Sequence, residues 1–205
     1  LDDPAFLPFQ LDLDASRVLF VRLDDTARAE APFLDQRALP AAPEGYWLPL
    51  DSVLAHPRPA STSRLDWIFH IGHCGSTLLS RLLQSWPELQ VLREPQPLRT
   101  LADAGAAAGA ARAMPDLLLA LAALWSRPLL PRTRTLAKAS SSCNALAAAL
   151  LATHPRARAV LLDMPLEAYL ATVLKSEAAL ADVAAAAPGR RRVLAGEDAL
   201  VDAAL

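Results

Sequence analysis

DWIFHIGHCGSTLLSRLL, residues Asp66 to Leu83, sets a strand signal, a turn signal and a helix signal end to end. Trp67 to Ile71 is a short apolar run rich in strand formers, the pattern of a buried strand. Gly72 and Gly75 bracket a tight turn, and Ser76 and Thr77 stand where a helix would begin. Leu78, Leu79, Leu82, Leu83 and Trp86 then recur on one helical face that Pro87 closes. The stretch predicts a strand, a glycine turn and a helix.

A turn of this kind aims unpaired backbone N–H groups and the positive end of a helix dipole at one point, so an anion can sit there without a buried countercharge. Phosphate or sulfate fits that chemistry, and Gly72, His73, Cys74, Gly75, Ser76 and Thr77 become candidate binding residues. The plainer alternative is that the glycines only let a buried strand turn tightly into a helix. A Walker A loop is excluded, because it needs a lysine after its last glycine and Ser76 follows Gly75.

Around this stretch, 205 residues with 53% hydrophobic composition and a mean hydropathy of +0.23 are enough for the core of one domain. A net charge of −2 gives no reason to expect nucleic acid or an acidic membrane as partner. Two cysteines, Cys74 and Cys143, without a basic-then-apolar leader predict a reduced cytoplasmic setting rather than a disulfide framework. The longest apolar run, Leu117 to Trp125, is far short of the ~20 residues a membrane span requires.

Residues 1–64 are rich in proline and weakly periodic, apart from a strand signal at Arg17 to Leu23 and an apolar cluster at Tyr46 to Leu54 that ends in a short helix after Asp51. They predict an N-terminal arm or cap packed on a main domain of residues 65–205, with 57–64 as a linker. In the main domain, strands are predicted at Leu89 to Leu92, Thr133 to Lys138 and Ala157 to Leu162. Helices are predicted at Leu98 to Ala111, Met114 to Trp125 and Ala145 to Thr153, and after Pro165, with Leu166, Tyr169, Leu170, Val173 and Leu174 on one face of the last.

Strands that alternate with helices and lack a polar face predict an α/β domain, a three-layer α/β/α arrangement around a mainly parallel sheet of four to five strands. In such sheets the active crevice lies at the carboxyl ends of the strands. The residues there are His73 to Thr77, Arg93 and Glu94, Lys138 to Ser142, and Asp163.

The loop resembles the 5′-phosphosulfate loop of sulfotransferases that use 3′-phosphoadenosine 5′-phosphosulfate, which reads Arg or Lys, Ser, Gly, Thr, Thr, Leu, Leu. His73, Cys74, Gly75, Ser76, Thr77, Leu78 and Leu79 occupy those positions, with His73 in place of the permanent cation. Glu94 follows His73 by twenty-one residues, similar to the spacing at which some of these families place a general base. LAKAS around Lys138 and AVLLDMPLEAYL from Ala159 are similar to two later strand ends. The family's later strand carries an arginine and, eight residues on, a serine that bind the donor's 3′-phosphate. Here Asp163 and Ala171 stand at those positions, with Thr172 beside the second.

The resemblance covers about half the chain and implies a fold like that of P-loop nucleoside-triphosphate hydrolases. It implies sulfuryl transfer from 3′-phosphoadenosine 5′-phosphosulfate to a hydroxyl or amine of a small-molecule or peptide acceptor. Glu94, Lys138 and His73 would be catalytic, the loop and Thr172 would hold the donor, and no metal is expected. A catalytically silent anion- or nucleotide-binding module and a kinase-like phosphotransferase are the alternatives, the first favoured by Asp163, which would repel a phosphate.

Each residue also has an ordinary reading. Glu94 as a surface partner of Arg93 or Arg99, Lys138 as a solvated strand-end lysine and His70 as a satisfied core histidine would carry no chemistry. His70, His73 and Cys74 lack a fourth ligand at a recognisable metal spacing. HCGSTLLSR is similar to the tyrosine phosphatase loop, but Arg81 comes seven residues after Cys74 instead of six, with Ser80 in its place. A slip of one residue turns a helical side chain by about 100°.

Overall fold

Two sheets organise the chain in a computed structural model that describes residues 1–57, 64–106, 114–130, 134–185 and 187. The first is antiparallel, in the order β1 (Phe6–Asp12), β2 (Arg17–Arg22) and β3 (Gly45–Pro49). Helix α1 (Asp25–Glu30), whose N-terminus is capped by the Asp24 side chain accepting from Ala27 N–H, lies between β2 and β3, and α2 (Leu50–Ala55) follows. β1 was not evident from sequence because Pro8 interrupts its signal. Its position explains how the proline is tolerated, since β1 is an edge strand and its register shifts between Pro8 and Gln10.

The glycine-turn stretch becomes β4 (Arg64–His70) and α3 (Ser76–Gln84), followed by β5 (Leu89–Arg93), α4 (Gln96–Ala106), α5 (Met114–Trp125) and β6 (Arg134–Lys138). A 3-10 segment, Ser141–Leu146, then leads into α6 (Ala147–Ala152), β7 (Ala159–Leu162) and α7 (Leu166–Val173). The second sheet is parallel, in the order β5-β6-β4-β7, and is flanked by helices. On one side α3 sets Leu79 and Leu83 against Ile68, Val91 and Leu136. On the other, Trp67, Phe69, Leu92 and Ala137 share one core with residues of α4, α5, α6 and the antiparallel sheet. The predicted linker from 58 to 63, the helix beyond Ala106 and Thr133 of the predicted strand fall outside the described residues.

The apolar stripes of two helices do not turn inward as their spacing suggests. The buried side of α3 is Ser76 and Ser80 with Leu79 and Leu83, while Leu78, Leu82 and Trp86 are 64%, 62% and 61% exposed. Ser80 is on the inner face where the Arg93 side chain lies. Its guanidinium donates to Ser80 Oγ (3.2 Å) and Gln84 Oε1 on α3, and to the carbonyls of Ala29 and Ala31 (3.0 Å each) in the arm. In α7 Val173 is buried but Leu166 and Leu174 are each 70% exposed. β7 was expected to be buried on both faces; as the edge strand it leaves Val160 and Leu161 more than half exposed.

Arg93 thus does not pair with Glu94. It is a buried clasp between α3 and the arm, and Arg28 is a second, donating to the carbonyls of Leu23, Pro4 and Ala5 and to Gln90 on β5. Burial pushes the Arg28 guanidinium down to about 10. Arg93→Met would leave two backbone carbonyls, Ser80 and Gln84 without their donor, so it is expected to destabilise the fold by about 3 kcal/mol or more. Urea unfolding should then show a lower midpoint at an unchanged slope, and a change under about 1 kcal/mol would refute the clasp.

Candidate functional site

β4 ends at His70, and the turn that follows is built in the left-handed region: Gly72 at φ 91°, His73 at φ 51° and Gly75 at φ 84°. Glycine takes that geometry without penalty, whereas His73 holds it at a cost of order 1 kcal/mol, the kind of strain that clusters at ligand sites. Gly75 is the N-cap of α3, and the first helical bond runs from Leu79 N–H to the Gly75 carbonyl (3.0 Å). Gly72 N–H donates to His70 Nδ1 (3.0 Å), but the N–H groups of residues 73–77 meet no acceptor among the described residues. The loop presents them as a set at a helix N-terminus.

His73, Gly75, Ser76 and Thr77 of this loop, but not Cys74, line a cavity of about 760 Å³ at the carboxyl end of the parallel sheet, together with Glu94 and Lys138 among others. Gly72 also lines it, as does Thr172 of α7, whose hydroxyl donates to the Ala168 carbonyl (2.8 Å). Cys74 turns its thiol toward the Leu162 carbonyl (3.8 Å), which leaves its amide as its contribution to the loop. Asp163 is exposed, accepts from Met164 N–H (2.7 Å) and is not among the described residues that line the cavity.

Glu94 and Lys138 form the charged centre. The parallel register sets Arg93 beside Lys138, so Glu94 falls just past the end of β5, where its N–H donates to the Lys138 carbonyl (2.7 Å) at a left-handed φ of 48°. The Lys138 ammonium, 1% exposed, donates to Glu94 Oε1 and lies 5.4 Å from the centre of the Phe33 ring. Arg99 approaches the other carboxylate oxygen at 3.7 Å. Lys138 is therefore no solvated strand-end lysine, and the principal partner of Glu94 is Lys138, with Arg99 at the rim.

His70 stands on the other side of Lys138 and is 5% exposed. Because Nδ1 accepts from Gly72, the neutral ring carries its proton on Nε2. That atom is buried, makes no hydrogen bond and lies 3.8 Å from Glu94 Oε1. Burial first, then the charge of Lys138, push the imidazole down to about 4; the Ala139 backbone pulls the other way, and the His73 charge adds a lesser push. The ring is a neutral N–H donor with one end satisfied and the other not.

The sequence reading did not find the wall facing the loop. Phe33 and Arg37 come from the arm, Arg99 and Asp103 from α4, Tyr169 from α7 and Asp182 from the helical residues after it. Arg37 is held by Asp35 (2.5 Å) and stacks over Phe33 at 4.1 Å. Among the described residues no group of three or more His, Cys, Asp or Glu side chains could hold a metal, and no helix is long and apolar enough to cross a membrane. No family model matches the chain, and neither a curated protein nor a solved structure matches it.

Two stability measurements follow from this geometry. Glu94→Gln leaves a buried ammonium without its countercharge, so it should destabilise by roughly 3 kcal/mol; the ~0–1 kcal/mol of an exposed pair would contradict the burial. For His70, the folded protein resists protonation that the unfolded chain accepts. Stability tied to the neutral ring is full above pH 6.5 and falls away as the pH drops toward about 4. His70→Phe should flatten that part of the stability profile, and a profile identical to wild type would show that the ring does not titrate as described.

Proposed function

We propose that this protein is a sulfotransferase-like enzyme of P-loop type that moves a sulfuryl group from 3′-phosphoadenosine 5′-phosphosulfate to an acceptor hydroxyl or amine. The observation that carries the proposal is that His73, Gly75, Ser76 and Thr77, whose amides are uncommitted, line one cavity with Lys138 and Glu94. Sulfuryl transfer needs donors for an anionic group, a cation for charge that develops on it and a base for the acceptor proton, and little else from the protein.

In this reaction Glu94 takes the acceptor proton as the acceptor oxygen or nitrogen bonds to sulfur. The sulfur–oxygen bond to the 5′-phosphate breaks, and its electron pair stays with the phosphate. The loop N–H groups and the hydroxyls of Ser76 and Thr77 hold the 5′-phosphosulfate, and Lys138 meets the charge that builds up on the transferred and departing oxygens. His73 stands where the family's loop has a cation, and Thr172 reaches the cavity from α7.

A second reading rests on Asp163. With an acid in place of the arginine that would hold a 3′-phosphate, the chain could bind an anion or nucleotide and transfer nothing. Calorimetry separates the two: adenosine 3′,5′-bisphosphate bound much more tightly than inorganic sulfate supports the transferase, and equal, weak binding of both supports the silent module. A preference for ATP with magnesium would point instead to a kinase-like phosphotransferase. For the transferase, Thr77→Ala should weaken the bisphosphate by about 0.5–1.5 kcal/mol, and up to ~3 if the contact is to a charged phosphate. Glu94→Gln should lower turnover ~10²–10⁴-fold at nearly unchanged donor affinity. Normal turnover in that variant would remove Glu94 from the chemistry.

A further inference from the structure

Arg99 approaches Glu94 Oε2 at 3.7 Å, while Lys138 donates to the other carboxylate oxygen, Oε1. An ammonium held there cannot at the same time turn toward an anion on the loop. One other donor faces the same oxygen: His70 Nε2–H, buried, without a hydrogen bond and 3.8 Å away. The sheet order makes this possible, because β6 lies between β5 and β4 and so Lys138 sits between Glu94 and His70. The neighbours of the imidazole are Glu94, Lys138, His73, the Ala139 backbone and Gly72, and Gly72 already uses the far nitrogen.

We infer that His70 is a positioning residue for Glu94: when Lys138 turns to an anion bound on the loop, His70 Nε2–H takes its place at Glu94 Oε1. The inference rests on the anion site proposed above. Its physical basis is that a buried unmade donor costs free energy, as does a buried carboxylate stripped of its partner, and one small approach satisfies both. A neutral donor suits the task better than a second cation would. It orients the carboxylate without adding a charge that would compete with Lys138 for it. Because the other nitrogen is fixed by the first amide of the glycine turn, the ring also links the loop to the base.

The test uses the full chain, ¹⁵N-labelled, with inorganic sulfate as probe. Sulfate should shift the amide signals of residues 73–77 and move the His70 Nε2 proton downfield as its hydrogen bond forms. His70→Asn keeps an acceptor for Gly72 N–H but drops the far donor, so sulfate should bind about tenfold more weakly, the loss of one hydrogen bond to a charged group. His70→Gln, which can extend a donor toward Oε1, should bind within about threefold of wild type. In a Glu94→Gln background there is no charge for His70 to hold, so His70→Asn should change affinity by less than about twofold. Loop amides that shift while the His70 proton stays unmoved, or an equal loss in both backgrounds, would overturn the role of His70 and leave the anion site standing. No shift at residues 73–77 would overturn both.

Discussion

A lysine ammonium that is 1% exposed is the constraint around which this end of the sheet is arranged. A charge so placed is tolerated when an opposite charge is fixed beside it, and removal of one partner is far more costly than the pair is beneficial. Several local features serve that pairing. The register of β5 and β6 brings their last residues level, and the Glu94 N–H to Lys138 carbonyl bond ties the strand ends together. The left-handed backbone at Glu94 then turns its side chain back to the ammonium. A non-glycine residue adopts that conformation at a cost, which the ion pair offsets.

The arm completes the same end of the molecule. Leu34 N–H donates to the Arg93 carbonyl (2.6 Å) and Gln96 N–H to the Leu34 carbonyl (3.2 Å), so the chain around Leu34 crosses the end of β5. Phe33 and Arg37 thereby reach the cavity, and Phe33 lies against Lys138. Arg28 and Arg93 hold the arm by bonds to its backbone carbonyls. What fixes the cavity's far wall is therefore long-range backbone pairing between the arm and the parallel sheet.

This explains which parts were legible in the sequence. The strand, glycine turn and helix at Asp66 to Leu83 depend on local preferences, as do the strand ends at Glu94 and Lys138, and the parallel topology brings these ends together at one edge. Phe33 and Arg37 depend on contacts between distant segments, which no local pattern encodes. The misjudged faces have the same origin. A leucine stripe says that a helix is amphipathic, but in α3 the buried face carries Ser80, which meets Arg93, a residue that reaches arm carbonyls 62 and 64 residues before it in the chain. Pro8 misled in the opposite sense, since an edge strand with a shifted register accepts what a central strand would reject. His70 read as a core residue because nothing in its neighbours along the chain reveals that one nitrogen is bonded and the other is not.

The positive charges of the cavity are held by acidic partners. Arg37 is held by Asp35, while Lys138 and Arg99 both approach Glu94, and Asp103 and Asp182 add negative charge to the wall. Among the described residues, the N–H donors of residues 73–77 and His70 Nε2–H make no hydrogen bond. An anion entering the loop would thus first be met by oriented dipoles and one neutral donor, since the full positive charges are already engaged. Dipoles fixed by the fold require little reorganisation and lose less of their strength in a shielded cavity than they would in water. They also fall off steeply with distance, so affinity depends on close contact with the turn. The left-handed geometry at Gly72, His73 and Gly75 supports such contact by bringing backbone, with no intervening side chain, to the anion.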